Sequence, residues 1–338
     1  MAHEPKLEIY TITLSRKEKD KLPNFRYLFY AKFEDDYSKL SKPFSSKDVL
    51  SVYFQDFVKK IDTKGFTKNE KKKKGFHLAP SNIDGHITNI SEAKEAFSGI
   101  LVGGNYDRIL SLGNIDDAAK SSEITQDLIV GSLQYFLLYT PLNHNVGLLI
   151  MQGYSEGKIS DIFKEYIEKY FKAADFKSEC NFYFPESLKS KYTTGATFDS
   201  VKFTTDFQVE ATFENSLPSD YHFQVKIEII DKNLEKTPVN KSQRLMNFFN
   251  KGKFNIGSKD ALLEEFETKK RNIKHDNKSF SVDFDNVEEI RPTINLKDHN
   301  IPINAGNIPN FKELDNWCRL LLDEIKSKIL PSDATTEL

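Results

Sequence analysis

The chain has 338 residues and sets 48 Lys+Arg against 50 Asp+Glu, for a net charge of -2. That balance excludes the global basic excess of a protein that coats nucleic acid. A hydrophobic fraction of 38% and an aromatic share of 12%, with 27 Phe and 14 Tyr, exclude a disordered chain.

The length suits one large domain or two ordinary ones. Two cysteines, Cys180 and Cys318, match neither a disulfide framework nor a zinc spacing and point to a reducing compartment. The opening "MAHEPKLEIYTITL" lacks the basic-then-apolar order of a signal peptide. Apolar runs fall far short of the ~20 residues of a membrane span. The expected location is the cytoplasm, and the Lys-, Asn-, Ile- and Phe-rich composition suggests a bacterial origin.

Alternation in Leu7–Leu14 predicts a first strand, and the aromatic run Phe25–Phe33 predicts a second. In "SSKDVLSVYFQDFVKKI", Val49, Leu50, Tyr53, Phe54, Phe57 and Val58 recur at helical spacing, with Ser45 or Ser46 as N-cap. A polar loop with a lysine run follows. Phe97–Gly113 predicts strand–turn–strand, with Gly103 and Gly104 in the turn. "YFLLYTP" and "VGLLIMQGY" are apolar on both faces, as buried central strands are, and a helix starts near Ser160 or Asp161.

Beyond about Phe176 the texture changes. "PESLKSKY" predicts a short helix, and "ATFDSVKFTTDFQVEATF" and "YHFQVKIEIID" predict antiparallel strands. "KSQRLMNFFNKG" predicts a helix ending at Gly252. "SKDALLEEFETKKRN" predicts another, capped by Ser258 and Asp260, before a return to strand in "KSFSVDFDNVEEIRPTINL". A last amphipathic helix carries Leu314, Trp317, Cys318, Leu321, Ile325 and Ile329. The expectation is an α+β protein with two mixed or mainly antiparallel sheets and flanking helices. Residues 1–176 would form an N-terminal domain, 186–331 a C-terminal one and 332–338 a tail.

Two basic clusters are candidates for gripping phosphates: Lys71, Lys72, Lys73 and Lys74, and then Lys269, Lys270, Arg271 and Lys274. Each also reads as a solvated loop or helix end. "VGGNYDR" lacks both glycine-rich phosphate-loop spacings, and a turn accounts for its glycines. None of the seven histidines stands at a metal or metalloprotease spacing, and no nucleophile-elbow or kinase motif is present. The aromatic runs read as core more than as base-stacking platforms.

Over about 25 residues the chain resembles the PD-(D/E)xK nuclease superfamily. Asp206 would be the acid, and "QVK" would stand for the E-x-K, putting Gln224 and Lys226 on one strand face. Glu210 or Glu214 would add a ligand. The resemblance implies Mg²⁺ held by the acids, with the lysine steadying charge. The leading Pro-Asp is absent, and Gln224 removes a charge from the metal site. An ordinary solvent face explains the same residues.

The strand "GLLIMQ" (Gly147, Leu148, Leu149, Ile150, Met151, Gln152), led by an apolar strand and followed by a helix, is similar to a pattern in poorly characterised bacterial phage-defence proteins. The likeness spans about 90–203 and includes "GATFDSVKF". It implies a role in defence beside partner proteins and carries no catalytic residue. The expected function is therefore a non-enzymatic defence component with no cofactor, recognising nucleic acid or a phage or partner protein. The alternatives are a Mg-dependent nuclease and an assembly subunit, with a protein partner or a homo-oligomer and no membrane.

Overall fold

A computed structural model describes residues 4–17, 23–38, 45–83, 86–107, 110–112, 122–173, 175–188, 197–209, 221–230, 248–249, 251, 253–256, 259–275, 278–283 and 294–330. In chain order its strands are β1 (Lys6–Arg16), β2 (Thr67–Asn69), β3 (Lys74–Leu78), β4 (Thr88–Ser91), β5 (Ala96–Asn105), β6 (Leu110–Leu112), β7 (Ser122–Ile124), β8 (Val130–Tyr139) and β9 (Val146–Gly153). There follow β10 (Phe176–Tyr183), β11 (Thr197–Val209), β12 (Tyr221–Ile230), β13 (Lys253–Ile256), β14 (Lys259–Leu262), β15 (Thr268–His275), β16 (Lys278–Asp283) and β17 (Ile294–Asn295). The helices are α1 (Phe25–Lys32), α2 (Glu34–Tyr37), α3 (Ser46–Ile61), α4 (Ser160–Tyr170) and α5 (Phe311–Ile329).

The fold is α+β. Chain contacts divide it into one unit of Met1–Tyr183 with Thr293–Leu338, and an inserted unit of Phe184–Pro292. The first unit holds a nine-stranded sheet with the path β10-β1-β9-β8-β5-β3-β2, with β17 beside β1 and β4 beside β5. The inserted unit holds a four-stranded sheet, β12-β11-β15-β16. Every described strand pair is antiparallel.

One face of the large sheet presents Tyr10, Ile12, Phe97, Leu101, Phe136, Leu138, Leu149 and Met151 to α1, α3 and α4. Aromatic rings carry much of that layer. Phe29 stacks on Tyr53 at 4.2 Å, and Phe76 meets Phe163 edge-on at 5.2 Å; such pairs add about 1 kcal/mol each beyond burial. Ser45 caps α3 through a capping box with Asp48, whose carboxylate accepts from the Ser45 N–H at 2.8 Å. The opposite face meets α5, whose Leu314, Cys318, Leu322 and Ile325 are buried. β8 and β9 lie in the middle of the sheet, and their apolar runs 135–139 and 147–152 are buried on both faces as their sequence predicts.

Four expectations are corrected. Residues 25–32 form helix α1, not a strand. Asn24 caps the helix by accepting from the Tyr27 N–H at 2.9 Å, and Phe25, Leu28 and Phe29 bury one helical stripe. Aromatic β-propensity yields to packing against the sheet. Residues 259–275 are strand, one 3-10 turn and strand, because β15 pairs with β11 and β16 on either side. Gly103 and Gly104 lie within β5, near its end, and neither has positive φ. A Cβ on Gly104 would lie 1.9 Å from the Val130 carbonyl oxygen, so close strand approach is what requires glycine there. Residues 294–330, expected in a C-terminal domain, belong to the first unit: β17 pairs with β1 and α5 covers the sheet.

Of "PESLKSKY" residues 185–188 are described, and 186–188 are helical; of the helix expected to end at Gly252, only 248–249 and 251 are described. The tail 332–338, Glu210 and Glu214 lie outside the described residues.

Candidate functional site

The first basic cluster is held inside its own unit. The Lys74 ammonium donates to the Lys158 carbonyl at 2.8 Å and to the Asp161 carboxylate at 3.1 Å. Lys72 pairs with Asp161 at 3.4 Å and also with Glu165. Lys73 reaches Asp107 at 3.0 Å and Glu70 at 3.8 Å. Lys71 is exposed on the turn between β2 and β3. The Glu165 hydrogen bond raises the Lys72 pKa, and the same bond lowers that of Glu165. Burial opposes ionisation of Asp161, but Lys74 and Lys72 outweigh it and hold that carboxyl low. The lysine run therefore latches the β2–β3 hairpin to the first turns of α4, where Asp161 also suits the helix N-terminus.

The second cluster is split by the strand period of two. Arg271 is fully buried, on the face that also carries Val201 and Phe203. Lys269 is half-buried on that face, while Lys270 is exposed on the other, opposite Lys202. Lys274 pairs in register with Thr197 and Ser279. Of this candidate cluster, Arg271 and Lys270 therefore stand on opposite faces of β15, as neighbours on a strand do.

The nuclease candidates do come together. Asp206 on β11 stands opposite Gln224 on β12, and Lys226 stands opposite Thr204, so all three share one face over adjacent rungs. The Gln224 amide donates to Asp206 Oδ1 at 3.4 Å, and all three residues are exposed. Further along the face, Glu228 accepts from Lys202 at 3.2 Å and from the Ser200 hydroxyl at 2.9 Å. Among the described residues no group of three or more His, Cys, Asp or Glu is placed to hold a metal ion. Among the described residues, Asp206 is the carboxylate beside Gln224 and Lys226, and it already accepts from the Gln224 amide.

One buried polar cluster escapes sequence reading. Asp315 on α5 accepts from Ser98 at 2.7 Å, Tyr135 at 2.8 Å, Asn89 at 3.0 Å and Arg319 at 3.0 Å. Arg319 also donates to the Asn89 carbonyl at 3.3 Å. The only local signal is an acid and a base at i, i+4 on a helix. Every lone pair is satisfied and Asp315 is 5% exposed, so the arrangement docks α5 rather than meeting a substrate.

The residues behind the "GLLIMQ" likeness are also structural. A Cβ on Gly147 would lie 2.5 Å from the Tyr139 carbonyl and 3.0 Å from the Phe25 ring. Gln152 accepts from the Tyr135 N–H at 3.1 Å where the β8–β9 ladder ends. No described helix is long and apolar enough to cross a membrane. No protein-family model, curated protein or solved structure matches this chain.

Proposed function

We propose that the chain is a non-enzymatic binding component, that its inserted unit carries the recognition surface, and that the partner is a protein. The supporting observation is the fate of the basic residues: Lys72, Lys73 and Lys74 face carboxylates of their own unit and Arg271 is buried. A phosphate backbone is gripped by cations free to displace counterions. The exposed face of the inserted sheet instead mixes Lys202, Lys226 and Lys270 with Asp206 and Glu228. Mixed charge suits complementarity to a protein surface. The resemblance over 90–203 supports a setting in bacterial antiviral defence for this role.

The purified chain, incubated with labelled DNA and RNA with and without Mg²⁺ at two salt concentrations, should neither retain nor cleave them. Salt-sensitive retention lost on reversing Lys71–Lys74 would overturn the protein-partner reading. In infected cells, K202E/K270E should abolish protection against phage while the chain stays folded. Undiminished protection would remove the inserted face from the function.

The second reading is a nuclease, favoured by the shared face of Asp206, Gln224 and Lys226. Mg-dependent cleavage that disappears in K226A would establish it.

A further inference from the structure

We propose that two copies of the chain pair through β12 of the inserted unit, antiparallel about a two-fold axis at Ile227, and join their four-stranded sheets into one continuous sheet. The proposal does not depend on what the inserted face recognises.

A strand edge presents a row of unpaired N–H and C=O groups, which native sheets keep short or cover. The large sheet follows that rule. Its β2 edge is three residues long. At its β10 edge the Cys180 N–H donates to the Glu168 carboxylate of α4 at 2.8 Å, and the Ser178 hydroxyl donates to the Glu168 carbonyl at 3.2 Å. β4 is four residues long, and its Asn89 carbonyl accepts from Arg319. β12 differs. It is 10 residues long, contains no proline, and among the described residues pairs on one side only, with β11.

The sequence of that edge is complementary to itself. Lys226 and Glu228 flank Ile227 and share the exposed face, while Val225, Ile227 and Ile229 are half-buried on the other. With Ile227 opposite its own copy, Lys226 of each copy faces Glu228 of the other, and Val225 faces Ile229. Ile230, 68% exposed, then lies against Gln224 of the second copy. The intrachain pair of Lys202 with Glu228 extends that rung, so that charge alternates in sign across the junction. Sliding the register by two residues sets Lys226 against Lys226 or Glu228 against Glu228. Sliding by one sets polar face beside apolar face. One register therefore satisfies both faces, and a two-fold interface repeats each contact. The other edge, β16, has charge only at Lys278 and Asp283, five apart, so the register that pairs them would set one face against the other.

The test is the mass of the full chain in solution by light scattering or sedimentation. Wild type should have twice the chain mass. K226E alone and E228K alone should each be weaker dimers by about tenfold or more in Kd, since each replaces two opposite-charge contacts with two like-charge ones. Mixing K226E with E228K in equal amounts should restore the dimer, because Glu then faces Lys at both junctions. Restoration on mixing also shows that both variants are folded. A monomeric wild type would overturn the proposal. So would single variants as dimeric as wild type, or a mixture no more dimeric than its components.

Discussion

The Ser98 hydroxyl on β5 donates to the Asp315 carboxylate on α5 across 2.7 Å, joining residues 217 positions apart. Tyr135, Asn89 and Arg319 converge on the same carboxylate, so the last helix is held to the sheet by one fully bonded acid as well as by its apolar stripe. Removing that acid leaves Arg319, whose side chain is 12% exposed, without its ion-pair partner. D315A is expected to lose about 3 kcal/mol in urea unfolding. Adding R319A should cost less than the sum of the two single losses.

The same carboxylate makes stability depend on pH. Burial alone would raise the Asp315 pKa, but hydrogen bonds from Ser98, Tyr135 and Arg319 outweigh it and hold the carboxyl below its ordinary value. A group depressed in the folded state stabilises fully above its unfolded pKa, about 3.9 for Asp. That stabilisation is lost as pH falls through the folded value. Glu8, held low against burial by Lys158, and Asp161 act in the same sense. Unfolding followed from pH 6 down to pH 2 should show stability falling below about pH 4, with a shallower fall in D315N.

Gly104 and Gly65 should respond differently to alanine. A Cβ at Gly104 meets the backbone of β8, with Val130 O at 1.9 Å and Gly131 Cα at 2.6 Å. Strand β5 would have to separate from β8, so G104A should lose about 3 kcal/mol or fail to accumulate as folded protein. Nothing lies within 4 Å of a Cβ at Gly65, and G65A should stay within about 0.5 kcal/mol of wild type, both variants being read by urea unfolding.

Lys74 is a stabilising residue in this arrangement. K74M removes its bonds to the Lys158 carbonyl and Asp161 and should lower stability by about 1 kcal/mol. Retention on a DNA or RNA column, measured for the same variant, should not change.

Both thiols should be inert in the native protein. Burial pushes the Cys180 thiol up to about 12, with Glu168 adding to the effect, and pushes the wholly buried Cys318 well above its ordinary value. The thiolate is the reactive form. Iodoacetamide at pH 8 should label neither cysteine until denaturant is added, as read by intact mass.

Local pattern carried much of the fold. The doubly apolar β8 and β9, the Ser45-capped α3, the start of α4 at Ser160 and the stripe of α5 were all legible, because each follows from short-range spacing. Phe25–Lys32 misled because Phe and Tyr favour strands until a sheet face is there to receive them as a helical stripe. Residues 259–275 misled in the other sense. Their Leu, Glu and Lys favour helix, but β11 and β16 offer hydrogen bonds on both sides. The nuclease triplet was legible as a strand face, and the pairing of β11 with β12 sets it on one surface.

By itself the sequence determined the class of molecule: a near-neutral α+β chain with a large aromatic core and strands and helices readable from their periods. Only the tertiary structure decided which charges are spoken for. Lys72 and Lys74 meet Asp161 across some 90 residues, Arg271 turns inward, Asp315 is satisfied from three strands and a neighbouring turn of its own helix, and 294–330 returns to the first unit. Spacing along the chain sets which way a side chain points within its own element. Whether a charge is free to bind anything depends on what other elements bring to it, and that information is distributed over residues far apart in sequence.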